Sequence, residues 1–200
     1  MMRVAYADPP YKGQAKRHYS HDPRCAEVNH SLLVYRLTRY DAFALSCKSN
    51  ALELAELLST FRRALEWRGK DPKRLRVSPW VKPFCSFKKN VNPAYAWEPV
   101  IWYSERPRTR GQQTVKDFVS ANITLKTGLV GAKPFAFCFW LFELLNVRPG
   151  DEFFDLYPGT GAVTSAWERW ADYLEATPLL AGNEGRGRLN RREAASESVR

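Results

Sequence analysis

The chain has 200 residues and a mass of 23.0 kDa, the size of one ordinary domain. Apolar residues make up 44% of it, with 7 Trp, 9 Tyr and 11 Phe, which suffices for a core and excludes a chain left unfolded for lack of burial. The formal net charge is +10, of which the last 19 residues contribute only +2, so the body itself is basic and suited to a polyanionic partner.

Arg3 to Ala7 is short and β-prone, and the prolines of Asp8-Pro9-Pro10-Tyr11 end it in a rigid loop. Asp22-Pro23 reads as a helix start, with Val28, Leu32 and Tyr35 at helical spacing up to about Thr38. A buried strand is expected at Ala42 to Ser46. From about Asn50, the residues Leu54, Leu57, Leu58, Phe61 and Leu65 mark a longer amphipathic helix ended by Gly69. This alternation predicts an α/β domain with a mostly parallel sheet covered by helices.

Val77 to Phe84 and Pro99 to Tyr103 read as a pair of strands, with the basic stretches 62–76 and 106–116 as surface, and Ala121 to Thr127 as a further short strand. Trp80, Trp97 and Trp102 are expected in the core. Lys133-Pro134 opens an apolar helix through Leu145, and a strand follows at Glu152 to Leu156. Beyond Tyr157-Pro158-Gly159-Thr160-Gly161, a last helix carries Val163, Ala166, Trp167, Trp170 and Leu174 on one face. From Gly182 the composition is that of a disordered tail.

The longest apolar run, Phe135 to Phe142, is eight residues, far below the ~18 to 20 that cross a bilayer, so no membrane role is expected. The first residues lack an apolar signal core, which predicts a cytoplasmic protein. Cys25, Cys47, Cys85 and Cys138 stand singly and are expected as reduced thiols. His18, His21, Cys25 and His30 have spacing that would suit zinc, but a polar lid beside the proline loop is the preferred reading, and no metal is expected.

Asp8-Pro9-Pro10-Tyr11 carries the sharpest chemistry. An exocyclic amine on an aromatic base is a poor nucleophile because its lone pair is delocalised into the ring. A carboxylate accepting one N–H and a fixed carbonyl accepting the other localise that pair toward an electrophile. Asp8 and the Pro9 carbonyl supply such acceptors, and Tyr11 offers a ring on which an extruded base stacks. Taken alone, the segment reads equally well as a plain proline-rich turn. The second segment is Asp155 to Gly161, where a strand feeds a glycine loop and then a helix, the arrangement in which a nucleotide-like cofactor approaches backbone closely.

Together these segments resemble the S-adenosylmethionine-dependent amino methyltransferases of DNA. Asp8 to Tyr11 matches the DPPY catalytic motif in full. Asp155 to Gly161 matches the glycine-rich motif close to DxFxGxG, with Tyr157 where Phe is usual, and Lys133-Pro134 with its apolar helix looks like the segment preceding that motif. The catalytic motif comes first, as in the permuted, β-type order, and the pattern from Arg3 to Trp170 is similar to compact enzymes of actinobacteria and their phages.

The resemblance implies a class I, Rossmann-like methyltransferase fold over residues 1–181 with a truncated sheet, S-adenosylmethionine as cofactor, and a flipped adenine in DNA as substrate. It implies catalytic roles for Asp8, Pro9, Pro10 and Tyr11, and cofactor contacts from Ala7, Asp8, Lys133, Pro134, Phe135, Asp155, Tyr157, Pro158, Gly159, Thr160 and Gly161. Lys12, Lys16, His18 and Tyr19, with Arg106, Arg108 and Arg110, are the expected nucleic-acid contacts. The family's ribose-gripping acid has only Glu184 as a counterpart here. An RNA adenine methyltransferase, which usually has Trp where Tyr11 stands, and a degenerate, non-catalytic DNA binder are the alternatives, and a homodimer supplying missing contacts remains open.

Overall fold

A computed structural model describes residues 1–11, 27–84, 89, 91–123 and 132–176. Six strands form one sheet: β1 (Arg3–Ala7), β2 (Ala42–Ser46), β3 (Arg76–Val81), β4 (Trp97–Ser104), β5 (Val119–Ser120) and β6 (Glu152–Asp155), in the order β5-β3-β4-β2-β1-β6. β1 pairs in parallel with β2 on one side and with β6 on the other. β4 runs antiparallel to both β2 and β3, while β5 is parallel to β3. The expected mostly parallel sheet therefore contains one reversed strand.

Helices cover both faces, which is why β1 and β2 read as near-continuous apolar runs. On one face α1 (His30–Leu37) and α2 (Ala51–Trp67) bury Leu33, Val34, Leu37, Phe61 and Leu65 against Ala5, Phe43, Leu45 and Ile101. On the other, α3 (Phe135–Leu144) and α4 (Ala162–Ala176) pack on Val4, Tyr6, Ala44 and Val100. α3 is apolar all round, as suits a helix held between a sheet and a second helix. Each fully buried large side chain, Phe137 and Phe142 among them, contributes about 1.5–3 kcal/mol.

Local signals explain the helix ends. The Asn50 side chain accepts from the backbone N–H groups of Leu52 and Glu53, and Gly69 takes a φ of +67° just beyond α2, where an L side chain is disfavoured. Asn29 caps α1 in the same way through Leu32. The Asp22-Pro23 helix start lies outside the described residues. The expected buried face of α1 is corrected: Leu32 and Tyr35 are exposed, and the buried stripe is shifted to Leu33, Val34 and Leu37.

Two further expectations need correction. Of the expected strand at Ala121 to Thr127, the described part is not a strand, and the short β5 sits just before it; residues 124–127 lie outside the described residues. Trp80 is buried and Trp102 half-buried, but Trp97 is 42% exposed. Strand alternation turns Trp97 to the opposite face from its buried neighbour Glu98, at the very start of β4.

The reversal of β4 decides where the second basic stretch lies. β4 returns the chain to the edge at which β1 begins, opposite the edge where Asp8 emerges. Arg106 there makes a bidentate pair with Asp151, Nη1 to Oδ2 at 2.6 Å and Nη2 to Oδ1 at 2.8 Å, and donates to the Asn146 carbonyl. Arg108 donates to the carbonyls of Gln113 and Glu143. These guanidinium groups bond to protein at the edge away from Asp8, and Arg108 and Arg110 are exposed.

The Asp151 side chain is 2% exposed and also accepts from the backbone of Met2 and Arg148. Arg106→Ala is therefore expected to destabilise the fold by about 3–5 kcal/mol, through an uncompensated buried charge, without altering the Asp8 site. Urea unfolding measures it, and a loss below about 1 kcal/mol would show that the backbone donors suffice.

Candidate active site

The parallel pairing of β1 with β6 places Tyr6 opposite Asp155, and the Leu156 N–H donates to the Tyr6 carbonyl at 2.9 Å. The loops beginning at Asp8 and Leu156 therefore leave neighbouring strands at the same edge. From the spacing of ~4.8 Å between strands and the rise of ~3.3 Å per residue, the Asp8 and Asp155 backbones stand roughly 8 Å apart. This is the crevice at the carboxyl ends of a parallel sheet in which α/β proteins hold ligands.

Asp8 is not isolated there. Lys133 Nζ, just before α3, lies 3.1 Å from Asp8 Oδ2 and 2.5 Å from Glu98 Oε1. The other oxygen of Glu98 accepts from Lys82 Nζ at 2.9 Å and from the Tyr11 hydroxyl at 3.3 Å. The Lys133 and Glu98 side chains are 5% and 6% exposed, whereas that of Asp8 retains 27%. A chain of alternating charge thus runs from the buried sheet to a carboxylate at the crevice, with Tyr11 tied to its inner member.

Burial pushes the Asp8 carboxyl up to about 6; the Lys133 ammonium opposes this and the nearby Glu98 charge adds to it. Burial alone would raise Glu98 too, but Lys133 and Lys82 override it and hold Glu98 at about 2. Burial would lower Lys133, yet the two carboxylates keep it above its ordinary value. Beneath the crevice, the buried Tyr6 hydroxyl is bonded to Ser46 Oγ at 2.9 Å, and burial pushes the Cys47 thiol up to about 12.

On the β6 side, the Asp155 carboxylate accepts from the Tyr157 backbone N–H at 3.3 Å and from Thr164 Oγ1 of α4 at 3.2 Å. Gly159 and Gly161 have φ of +49° and +76°, and a Cβ built at either meets nothing within 4 Å. The loop thus presents its backbone to open space at the start of a 15-residue helix. Pro158 and Thr160 are exposed. Phe135 is 43% exposed at the first turn of α3, with the Arg169 guanidinium 4.9 Å from its ring centre. Beside Tyr11 a cavity of about 390 Å³ is bounded by Asn29, His30, Cys47, Lys48 and Glu53.

The structure thus gathers Asp8, Tyr11 and Lys133 into one network and sets the Asp155 to Gly161 loop next to it. Lys12, Lys16, His18, Tyr19 and Glu184 lie outside the described residues. Among the described residues, no group of three or more His, Cys, Asp or Glu is arranged to hold a metal, and Cys47 and Cys138 are free thiols. Sequence reasoning missed Glu98, Lys82 and Thr164. A lone carboxylate within the apolar run of β4 was the available signal for Glu98.

No family model and no curated protein matches the chain. Among solved structures, the chain is similar to one titled as the M1.HpyAVI-SAM complex, at 11% identity and a TM-score of 0.55, over 90% of this chain and 88% of that one. A second M1.HpyAVI structure is matched at 13% identity and a TM-score of 0.49, over 84% and 76%. TTHA0409 from Thermus thermophilus, described as a DNA modification methylase, is matched at 13% and 0.47, over 84% and 77%. At such identities the first likeness bears on architecture alone: the expected α/β, Rossmann-like fold is the one this chain has.

Proposed function

We propose that the chain transfers a methyl group from S-adenosylmethionine to the exocyclic 6-amino group of adenine in DNA, as a compact enzyme of the permuted order. The observation that carries this reading is the Asp8 to Tyr11 motif at the end of β1, its carboxylate held by Lys133, beside the glycine loop that follows the adjacent parallel strand β6. The likeness to a structure solved with SAM supports the same choice of cofactor.

The residues present fit that cofactor. Gly159 and Gly161 leave open space that would admit the methionine portion, and the Asp155 carboxylate beside that loop would receive an ammonium group. When bound, S-adenosylmethionine supplies a sulfonium-activated methyl group. Asp8, ionised above pH ~6, accepts one N–H of the adenine amine while the Pro9 carbonyl accepts the other. Lys133 pairs with Oδ2 of Asp8, so that Oδ1 would be the oxygen to accept from the substrate. Tyr11 stacks on the base, and its cavity has the size of a small-ligand site.

DNA would approach this edge, where Phe84, Tyr95 and Trp97, between β3 and the start of β4, are exposed, with Lys89 in the same connection and Lys48 just beyond β2. Lys12, Lys16, His18 and Tyr19, next to Tyr11 in the chain, belong to the same reading. Transfer of tritiated methyl from the cofactor to duplex DNA, followed by nucleoside digestion, tests the proposal. Label in 6-methyladenine is the expected result; label in RNA alone, or in cytosine alone, would overturn it.

Gly161→Val is expected to lower cofactor affinity about tenfold or more, because a φ of +76° strains an L residue by about 1–3 kcal/mol at the loop meant to hold the ligand. Calorimetry with S-adenosylmethionine measures it, and unchanged affinity would remove the loop from the cofactor site.

A further inference from the structure

Glu98 is the most deeply committed group of the site and the one for which the proposed chemistry has no direct use. Its carboxylate lies behind Lys133, away from the crevice, yet it touches both ends of the proline motif's machinery: Asp8 through the shared Lys133, and Tyr11 through the phenol. A buried carboxylate is costly unless fully paired, and this one is paired by two lysines and a hydroxyl, all bonding in one place. Those same bonds tie the Asp8 carboxylate, through Lys133, and the Tyr11 hydroxyl to one buried group, so the position of that group sets theirs.

We propose that Glu98 is the positioning residue of the site: it holds the Lys133 ammonium against Asp8 Oδ2 and the Tyr11 ring in plane, so that one carboxylate aligns both the proton acceptor and the stacking surface for the target base. The proposal rests on the methyl-transfer reading for its rate consequence, but the coupling of Glu98 to Asp8 is a property of the chain itself. β4 supplies Glu98, the segment after β3 supplies Lys82, the residues before α3 supply Lys133, and β1 with its loop supplies Tyr6, Asp8 and Tyr11; Cys47 follows β2. Among the described residues, these are the titratable groups that face Asp8.

With Glu98 in place, Lys133 is shared between two carboxylates. Without its charge, Lys133 belongs to Asp8 alone, and the repulsion between the two carboxylates is gone. Both changes favour the ionised form of Asp8, so its titration midpoint falls below its present value of about 6. At the same time the Tyr11 phenol and the Lys133 ammonium lose their common anchor. A misplacement of about 1 Å at a reacting group costs up to ~100-fold in rate, so turnover declines although Asp8 is ionised over a wider pH range.

The test uses the full chain and two readouts. Carbon-13 NMR of labelled aspartate carboxyls, with the Asp8 signal assigned by Asp8→Asn, follows the Asp8 titration in wild type, Glu98→Gln and Glu98→Asp. Methyl transfer to DNA as a function of pH is measured on the same proteins. Glu98→Gln is expected to move the midpoint downward and to reduce kcat by ~10- to 100-fold, with the acid limb of the pH profile shifted to match. Glu98→Asp keeps the charge but shortens the reach, so the midpoint stays near the wild-type value while the rate falls.

An unchanged midpoint in Glu98→Gln, or wild-type rates in both variants, overturns the proposal. If Glu98→Gln does not fold, Glu98→Gln with Lys82→Gln restores the balance of charge, and the midpoint is then expected to fall by less, because Lys82 also lowers the Asp8 carboxyl while Glu98 raises it more. A wild type that modifies no DNA would defeat the functional reading, while the NMR titration would still decide the Glu98 coupling.

Discussion

Asp8→Ala is expected to reduce methyl transfer by ~10³-fold or more while leaving affinity for S-adenosylmethionine within a few fold of wild type. The substitution removes the acceptor that localises the lone pair of the adenine amine, and the Pro9 carbonyl alone satisfies only one of the two N–H groups. It does not touch Asp155, Gly159 or Gly161, which stand on β6 and its loop. Nor is the fold expected to suffer. The carboxyl of Asp8 is raised to about 6 by burial, so the folded state holds its proton more readily than the unfolded chain. That preference favours folding at low pH and is lost as pH rises from the unfolded value to about 6, above which the ionised carboxylate costs stability. At pH 7 the alanine variant should therefore melt no lower than wild type, with Lys133 still paired to Glu98. Retention of more than a tenth of the activity, in a well-folded variant, would remove Asp8 from the chemistry.

Lys133→Met is expected to destabilise the fold by about 3–5 kcal/mol, because it strips a buried cation from between two carboxylates. Lys82 remains on Glu98, but Asp8 loses the cation in contact with it, and both carboxylates then shift upward. A group whose carboxyl is raised in the folded state loses stability as pH rises, so the deficit of this variant is expected to be largest at pH 8 and smaller at pH 5. Urea unfolding at the two pH values measures the difference. An equal loss at both would mean that the contacts of the ammonium with the Trp80 and Phe137 rings, rather than its pairing with the two carboxylates, explain the effect.

Much of the frame was legible because its signals are local. The apolar runs of β1 and β2, the caps and periodicity of α2, and the glycine loop between β6 and α4 each depend on residues within a few positions of one another. α1 was misread by about one position around its axis because Leu32 and Leu33 are equally apolar, and only contact with the sheet chooses between them. Trp97 was misplaced for a related reason: alternation was correct, but a strand's first residue extends past the core that would have covered it.

By itself the sequence determined the alternation of strands and helices, the basic body, and the two segments whose residue types suit amine alkylation and cofactor binding, since motif chemistry is carried by neighbours in the chain. Tertiary structure decided what surrounds those segments. The parallel pairing of β1 with β6 set Asp8 beside the glycine loop, and the reversed β4 sent Arg106 to the far edge while carrying Glu98 to the edge where Asp8 emerges. The charge that Asp8 bears near neutral pH depends on Lys133 and Glu98, which reach it from elements distant in sequence. Electrostatic interaction and desolvation act through space, and the separation of residues along the chain carries no record of either.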